Sequence, residues 1–281
     1  MEDILTHVLM PLLVGASIGS FLNVCIYRMP AEKSISSYSS RCFACGKPIP
    51  WFLNIPIVSW FVLMGRCRCK LVKLDFRYPM IEVFTALMTL NIWMAFKHEP
   101  VLALINYVIC CGLIIATFVD IDHYIIPDEI TIGGTILGLI VSLAYPRLHG
   151  VESIWSSFLA SFGGAAFGGG GLLAVAILGM LVFRKEAMGL GDVKLMAAFG
   201  AFFGWQGPLF ILAVASMIGS LMGVVALLVR GKMLGVRMPF GPSLCIAALL
   251  WIFGGNDWMN DYISVISEQV QWLWQTYQIE F

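Results

Sequence analysis

Charge is scarce along this chain: 17 Lys and Arg stand against 17 Asp and Glu, together 12% of 281 residues. Soluble domains carry about a quarter. With 59% hydrophobic residues and a mean hydropathy of +0.88, the chain falls with polytopic membrane proteins rather than soluble domains. The zero net balance removes the electrostatic case for a nucleic-acid partner. Other features are missing too. There is no convincing internal repeat and no soluble-type nucleotide-binding fingerprint. The first apolar run has no basic start, and no small-residue cleavage site precedes Tyr27-Arg28, so it reads as a retained span.

What is present is a series of apolar runs. Eight spans are expected, at roughly 7–29, 79–96, 101–119, 129–147, 156–183, 193–206, 207–230 and 240–254. The sixth and eighth are short for a bilayer, which points to tilt, a kink or partial insertion. Trp205-Gln-Gly-Pro208 reads as a tight turn between the sixth and seventh. The expected fold is therefore all-α and polytopic, with a small cytoplasmic zinc-binding-like loop domain between the first two helices.

Charge placement orients these spans. The segment after the first carries nine basic residues, Arg28, Lys33, Arg41, Lys47, Arg66, Arg68, Lys70, Lys73 and Arg77, against Glu32 and Asp75. The positive-inside rule puts it in the cytoplasm. Counting onward brings 120–128, 184–192 and 230–237 to the same side, and sends the tail after Gly254 to the periplasmic side. That tail holds Asp257, Asp261, Glu268 and Glu280 and no basic residue. Four regions follow: the first helix (1–29), the Cys-bearing loop domain (30–78), the membrane body (79–254) and the acidic tail (255–281). The tail reads as a surface helix, with Ile263, Ile266, Val270, Trp272, Leu273 and Trp274 as interfacial residues, or as a solvated extension.

Two acidic motifs at the ends of apolar runs carry the chemistry. One is Asp120-Ile-Asp122-His123-Tyr-Ile-Ile-Pro127-Asp128; the other is Gly189-Leu-Gly191-Asp192. Carboxylates at the edge of hydrocarbon are expensive and are kept for chemistry or transport. Two of them from different helices, at one depth, can share a proton and activate a water, as an aspartyl peptidase requires. Each also has a plainer reading. Asp128 and Asp192 suit helix N-termini, although two glycines beside Asp192 point to a close backbone approach. Asp120 is harder to explain this way. It sits at the C-terminal end of a helix, where the macrodipole disfavours negative charge. His123 reads as an interfacial polar residue. Lys194 tunes Asp192, holds a substrate carboxylate or snorkels. The run Gly163-Gly-Ala-Ala-Phe-Gly168-Gly-Gly-Gly171 reads as a helix-packing surface rather than a phosphate loop.

Cys42-Phe-Ala-Cys45 and Cys67-Arg-Cys69 lie in the loop. In a reducing compartment paired cysteines read as metal ligands, and four thiolates close a structural zinc site. The second pair is one residue shorter than in zinc ribbons, which leaves unligated thiols or a redox pair as the alternative. Cys25, Cys110, Cys111 and Cys245 fall within apolar spans and read as small buried hydrophobes.

Taken together, these segments resemble the bacterial type IV prepilin peptidases, or prepilin leader peptidase/N-methyltransferases. The resemblance covers nearly the whole chain. It is carried by Gly19-Ser-Phe-Leu-Asn-Val-Cys-Ile-Tyr27-Arg28-Met-Pro30, by Trp51-Phe-Leu-Asn54-Ile-Pro56-Ile-Val-Ser59-Trp60 and by Arg77-Tyr-Pro-Met-Ile-Glu82. Pro239-Phe-Gly-Pro242 and Gly189-Leu-Gly-Asp192-Val-Lys194 add to it, the latter matching the GxGD signature of intramembrane aspartyl proteases. It implies cleavage of the basic leader of type IV prepilins or type II secretion pseudopilins, then N-methylation from S-adenosylmethionine. It implies Asp120 and Asp192 as the catalytic pair, with Gly189, Gly191, Lys194, Asp122 and Asp128 in support. The family's loop carries two Cys-x-x-Cys pairs, so Cys67-Arg-Cys69 departs from it and zinc is the least direct transfer. The expected location is the bacterial inner membrane, multi-pass, with the site at the cytoplasmic face. There Glu129 and Glu186 would attract the basic leader. Asn54, Arg77 and Glu82 are expected to serve methyl transfer. The rival class is a proton- or ion-coupled transporter, which also uses intramembrane carboxylates.

Overall fold

The computed structural model describes residues 5–35, 47, 50, 55–67, 69, 73–184, 188–230 and 239–278. The described residues form helices and turns, with one isolated antiparallel bridge between Arg66 and Lys73. The chain divides into two compact units, Met1–Pro127 and Asp128–Phe281.

The first unit holds α1 (Met10–Arg28), the short α2 (Val58–Val62), α3 (Arg77–Ala95) and α4 (Pro100–His123). Small residues bring α1 onto α3. A Cβ on Gly15 would stand 2.7 Å from the Ala86 Cα, and one on Gly19 would stand 2.8 Å from the Glu82 Cα. Between helices in lipid, such close packing replaces the hydrophobic driving force. Leu22 and Ile26 of α1, Ile81 and Ile92 of α3, and Leu113 and Val119 of α4 are buried in this unit.

The chain between α1 and α3 is tied down at its second end. Ile57 has φ +65° and ψ −57°, and the Val58 N–H reaches back to the Pro56 carbonyl at 2.6 Å. This is a γ-turn, a strained form for a β-branched residue. Its own N–H is held by the Glu82 carboxylate at 2.6 Å. Trp60 donates from its indole N–H to the Leu74 carbonyl at 3.2 Å and packs edge-on against Phe76, closing the segment on itself.

The second unit contains α5 (Asp128–Ala144), α6 (Ile154–Phe183), α7 (Leu190–Phe203), α8 (Gln206–Arg230), α9 (Gly241–Leu250) and α10 (Asn256–Gln278). The glycine run does act as a packing surface. A Cβ on either Gly164 or Gly200 would overlap the other's backbone, and Gly168 and Gly169 lie against Met196 and Ala197 of α7. Ser161 of α6 donates to the Ala201 carbonyl of α7 at 2.7 Å. Gly163, Gly170 and Gly171 face open space instead.

A helix stands at each of the eight expected span positions. Among the described residues four stretches are long and apolar enough to cross a membrane: Leu5–Ala31, Pro100–His123, Ile154–Val182 and Gln206–Leu228. The 14-residue α7 and 10-residue α9 rise about 21 and 15 Å, short of a hydrocarbon core of about 30 Å. The turn between α7 and α8 comes slightly before the expected one. Gly204, at φ +67°, makes the reversal, and Pro208 lies inside the first turn of α8, where its missing N–H is harmless. Past α9 the backbone breaks at Phe253 and Gly254, and α10 follows as an amphipathic helix. The tail is therefore helical, and it carries Ile266, Val270, Trp272 and Trp274 exposed.

Candidate active site

In the first unit the Asp120-to-Asp128 motif straddles the end of α4. Asp120 sits one turn before the helix ends and is buried, 6% exposed. Its carbonyl accepts the Tyr124 N–H at 2.9 Å, and Tyr124, at φ +57°, terminates the helix in the left-handed region. Asp122 lies on another side of the same turn and is bound to Arg77 at 2.6 Å. The same guanidinium donates to the Phe118 carbonyl at 3.3 Å and lies 4.5 Å from the centre of the Phe118 ring. His123 is exposed at the helix C-terminus, where a basic side chain suits the macrodipole.

In the second unit Gly189 caps α7 in extended conformation (φ −72°, ψ 141°), and Asp192 is the third helical residue. Its carboxylate lies over Gly189: a Cβ there would stand 3.5 Å from Asp192 Oδ2. That is ordinary van der Waals distance, and Asp192 is half-buried in the positive end of the helix dipole. Lys194 turns to Asp128, the first residue of α5, at 2.7 Å. Asp128 Oδ1 also takes the Thr131 hydroxyl at 3.5 Å, so it serves the helix start and the ion pair together. Gly191 is the second residue of α7.

The two pairings, Arg77 with Asp122 and Lys194 with Asp128, were not apparent in the sequence. Each joins residues 45 or 66 positions apart. The available signal was that opposite charges gather at the same ends of the apolar runs. They leave Asp120 as the most buried carboxylate of its motif.

Cys67 and Cys69 are half-buried, and Arg66, next to Cys67, bridges to Lys73. Cys42 and Cys45 lie outside the described residues, as do Asn54 and Glu186. Among the described residues no three metal-ligating side chains gather. Glu82 is buried, with Ser20 of α1 and the Ile57 N–H on its carboxylate.

Residues 13–96 match the model of the bacterial peptidase A24 N-terminal domain, and residues 107–224 match that of the type IV leader peptidase family. A prepilin leader peptidase/N-methyltransferase of Pseudomonas putida is 33% identical over 87% of this chain and 89% of its own length. One of Pseudomonas aeruginosa is 33% identical over 92% and 94%. One of Myxococcus xanthus is 37% identical over 78% of this chain and 63% of its own. No solved structure matches the chain. Matches to both family segments, and identity along nearly the full length of relatives from several bacteria, establish that the chain belongs to the type IV leader peptidase family, that of the prepilin peptidases.

Proposed function

We propose that this chain cleaves the basic leader from type IV prepilins or type II secretion pseudopilins, with Asp120 and Asp192 as the catalytic pair, and then N-methylates the new N-terminus. The observation that carries the reading is the placing of the two acids in a chain of this family: a buried Asp120 in the last turn of α4, and Asp192 over the Gly189 cap of α7. In this mechanism one carboxylate takes a proton from water as its oxygen adds to the scissile carbonyl. The other, protonated, gives its proton to the carbonyl oxygen. The tetrahedral diol then collapses, the leaving nitrogen gains a proton, and the C–N bond breaks. Two adjacent carboxylates cannot both ionise cheaply, so the pair holds the one proton that this sequence needs.

Methylation joins the freed amine to a sulfonium methyl group, with S-adenosylmethionine as donor. The cytoplasmic region 28–82 is its proposed site, with Asn54 and Glu82 as the polar residues that hold the donor. A buried carboxylate such as Glu82 suits a cationic donor. Arg77 belongs to the same segment, but its contacts carry a different assignment, argued below. Cys42, Cys45, Cys67 and Cys69 are proposed to hold one structural zinc. A closed set of four thiolates has no open position for catalysis.

Eight membrane spans in the bacterial inner membrane are proposed, with the loop 30–78 and both acidic motifs at the cytoplasmic face and the acidic tail on the periplasmic side. The eight basic residues of that loop, with Arg28 just before it, support this orientation. The test is incubation of the purified protein with a prepilin and labelled S-adenosylmethionine, followed by mass analysis of the new N-terminus. A shortened chain bearing one added methyl group is expected. Intact prepilin, together with proton-driven flux in liposomes, would favour the transporter instead.

A further inference from the structure

We infer that Arg77 is a positioning residue of the peptidase, which holds the last turn of α4 so that Asp120 is presented in one orientation. This rests on the reading of Asp120 as catalytic. Arg77 opens α3, and Asp75 accepts its backbone N–H at 3.0 Å. Its side chain makes three contacts with α4: the Asp122 carboxylate at 2.6 Å, the Phe118 carbonyl at 3.3 Å and the Phe118 ring at 4.5 Å. Phe118 and Asp122 are four residues apart and share a helix face; Asp120, midway between them, points the other way. Arg77 therefore grips the back of the turn whose front bears the acid. A planar guanidinium can make the fork and the ring contact together; a lysine cannot.

The position also links two parts of the first unit. One turn further along α3, Glu82 holds the Ile57 N–H of the cytoplasmic segment. The start of α3 thus carries that segment through Glu82 and the Asp120 turn through Arg77. The Arg77–Asp122 pair is partly solvated, with side chains 25% and 35% exposed, so it adds little to global stability. An Arg77 variant should fold, and any loss of rate then reports on geometry.

The test compares Arg77→Gln, Arg77→Lys, Asp122→Asn and the double variant Arg77→Gln/Asp122→Asn with the wild type, in detergent or nanodiscs, on a prepilin substrate. Asp120→Asn is the control. Arg77→Gln should lower kcat by tenfold or more, since small misplacements of a reacting group are that damaging. KM, the melting temperature and methylation of a pre-cleaved substrate should stay as in the wild type. Arg77→Lys should recover only part of kcat. The double variant should be no slower than Arg77→Gln, because the two side chains act as one unit. Additive losses, an unchanged kcat, or loss of methylation with normal cleavage would each overturn the assignment while Asp120→Asn remains inactive. Normal cleavage by Asp120→Asn would instead remove the catalytic reading beneath it.

Discussion

At the scale of single residues, the two proposed catalytic acids differ in setting, and each predicts a clean variant. Asp120→Asn keeps the shape of a buried side chain, and Asp192→Asn keeps an acceptor at the N-terminus of α7. Either should lower prepilin cleavage by at least about a thousandfold, the upper range for lost acid–base chemistry, with the unfolding temperature little changed. The assay is the rate of leader release by mass spectrometry. His149 predicts a pH effect. It ends the turn Pro146–His149, and its Nε2 is buried without a partner. Burial pushes its imidazole below the ordinary value of 6.5, and the Ala201 carbonyl works the other way to a lesser degree. With the folded value depressed, the unfolded chain takes the proton first. The stabilising contribution is therefore present above about pH 6.5 and is lost as pH falls below it. Replacing His149 by Gln should shrink the drop in unfolding temperature between pH 7.5 and pH 5.5; an equal drop would show that burial of His149 contributes nothing.

At the scale of elements, helix contact in lipid depends on how closely backbones approach. Gly164 and Gly200 set that approach between α6 and α7, and each would overlap the other if it carried a Cβ. Gly200→Ala should lower stability by about 1–3 kcal/mol through forced separation of the helices. Gly163→Ala, on the open side of the same run, should change it by less than about 0.5 kcal/mol. Reversible unfolding of the purified protein in mixed micelles measures both. Equal effects would mean that glycine content, not the contact, sets the stability of α6.

For the whole molecule, the proposed acids belong to different units: Asp120 to Met1–Pro127 and Asp192 to Asp128–Phe281. The proposed zinc ligands all belong to the first. Purified protein should hold about one zinc per chain, as a four-thiolate site requires. Serine at Cys42, Cys45, Cys67 or Cys69 should lower that content and loosen the segment between α1 and α3, read as faster proteolysis there. Metal-free protein with full resistance to proteolysis would leave the shortened second pair as a site without a metal.

Hydropathy placed a helix at each of the eight apolar runs, because a run of apolar side chains must find an apolar surrounding whatever its neighbours are. The Gly-Leu-Gly-Asp192 start of α7 was legible for a similar reason: only local backbone is involved, and an acid in the first turn suits a helix N-terminus. The basic loop, the acidic tail and the packing role of the glycine run were equally local matters of composition. Tertiary structure decided the rest. It assigned Lys194 to Asp128, Arg77 to Asp122 and Glu82 to the strained turn at Ile57. It also separated Gly164 and Gly168, which meet α7, from Gly163 and Gly170, which do not. These choices depend on which helix face meets which, and a pairing across 45 or 66 residues leaves no periodic trace in a single sequence.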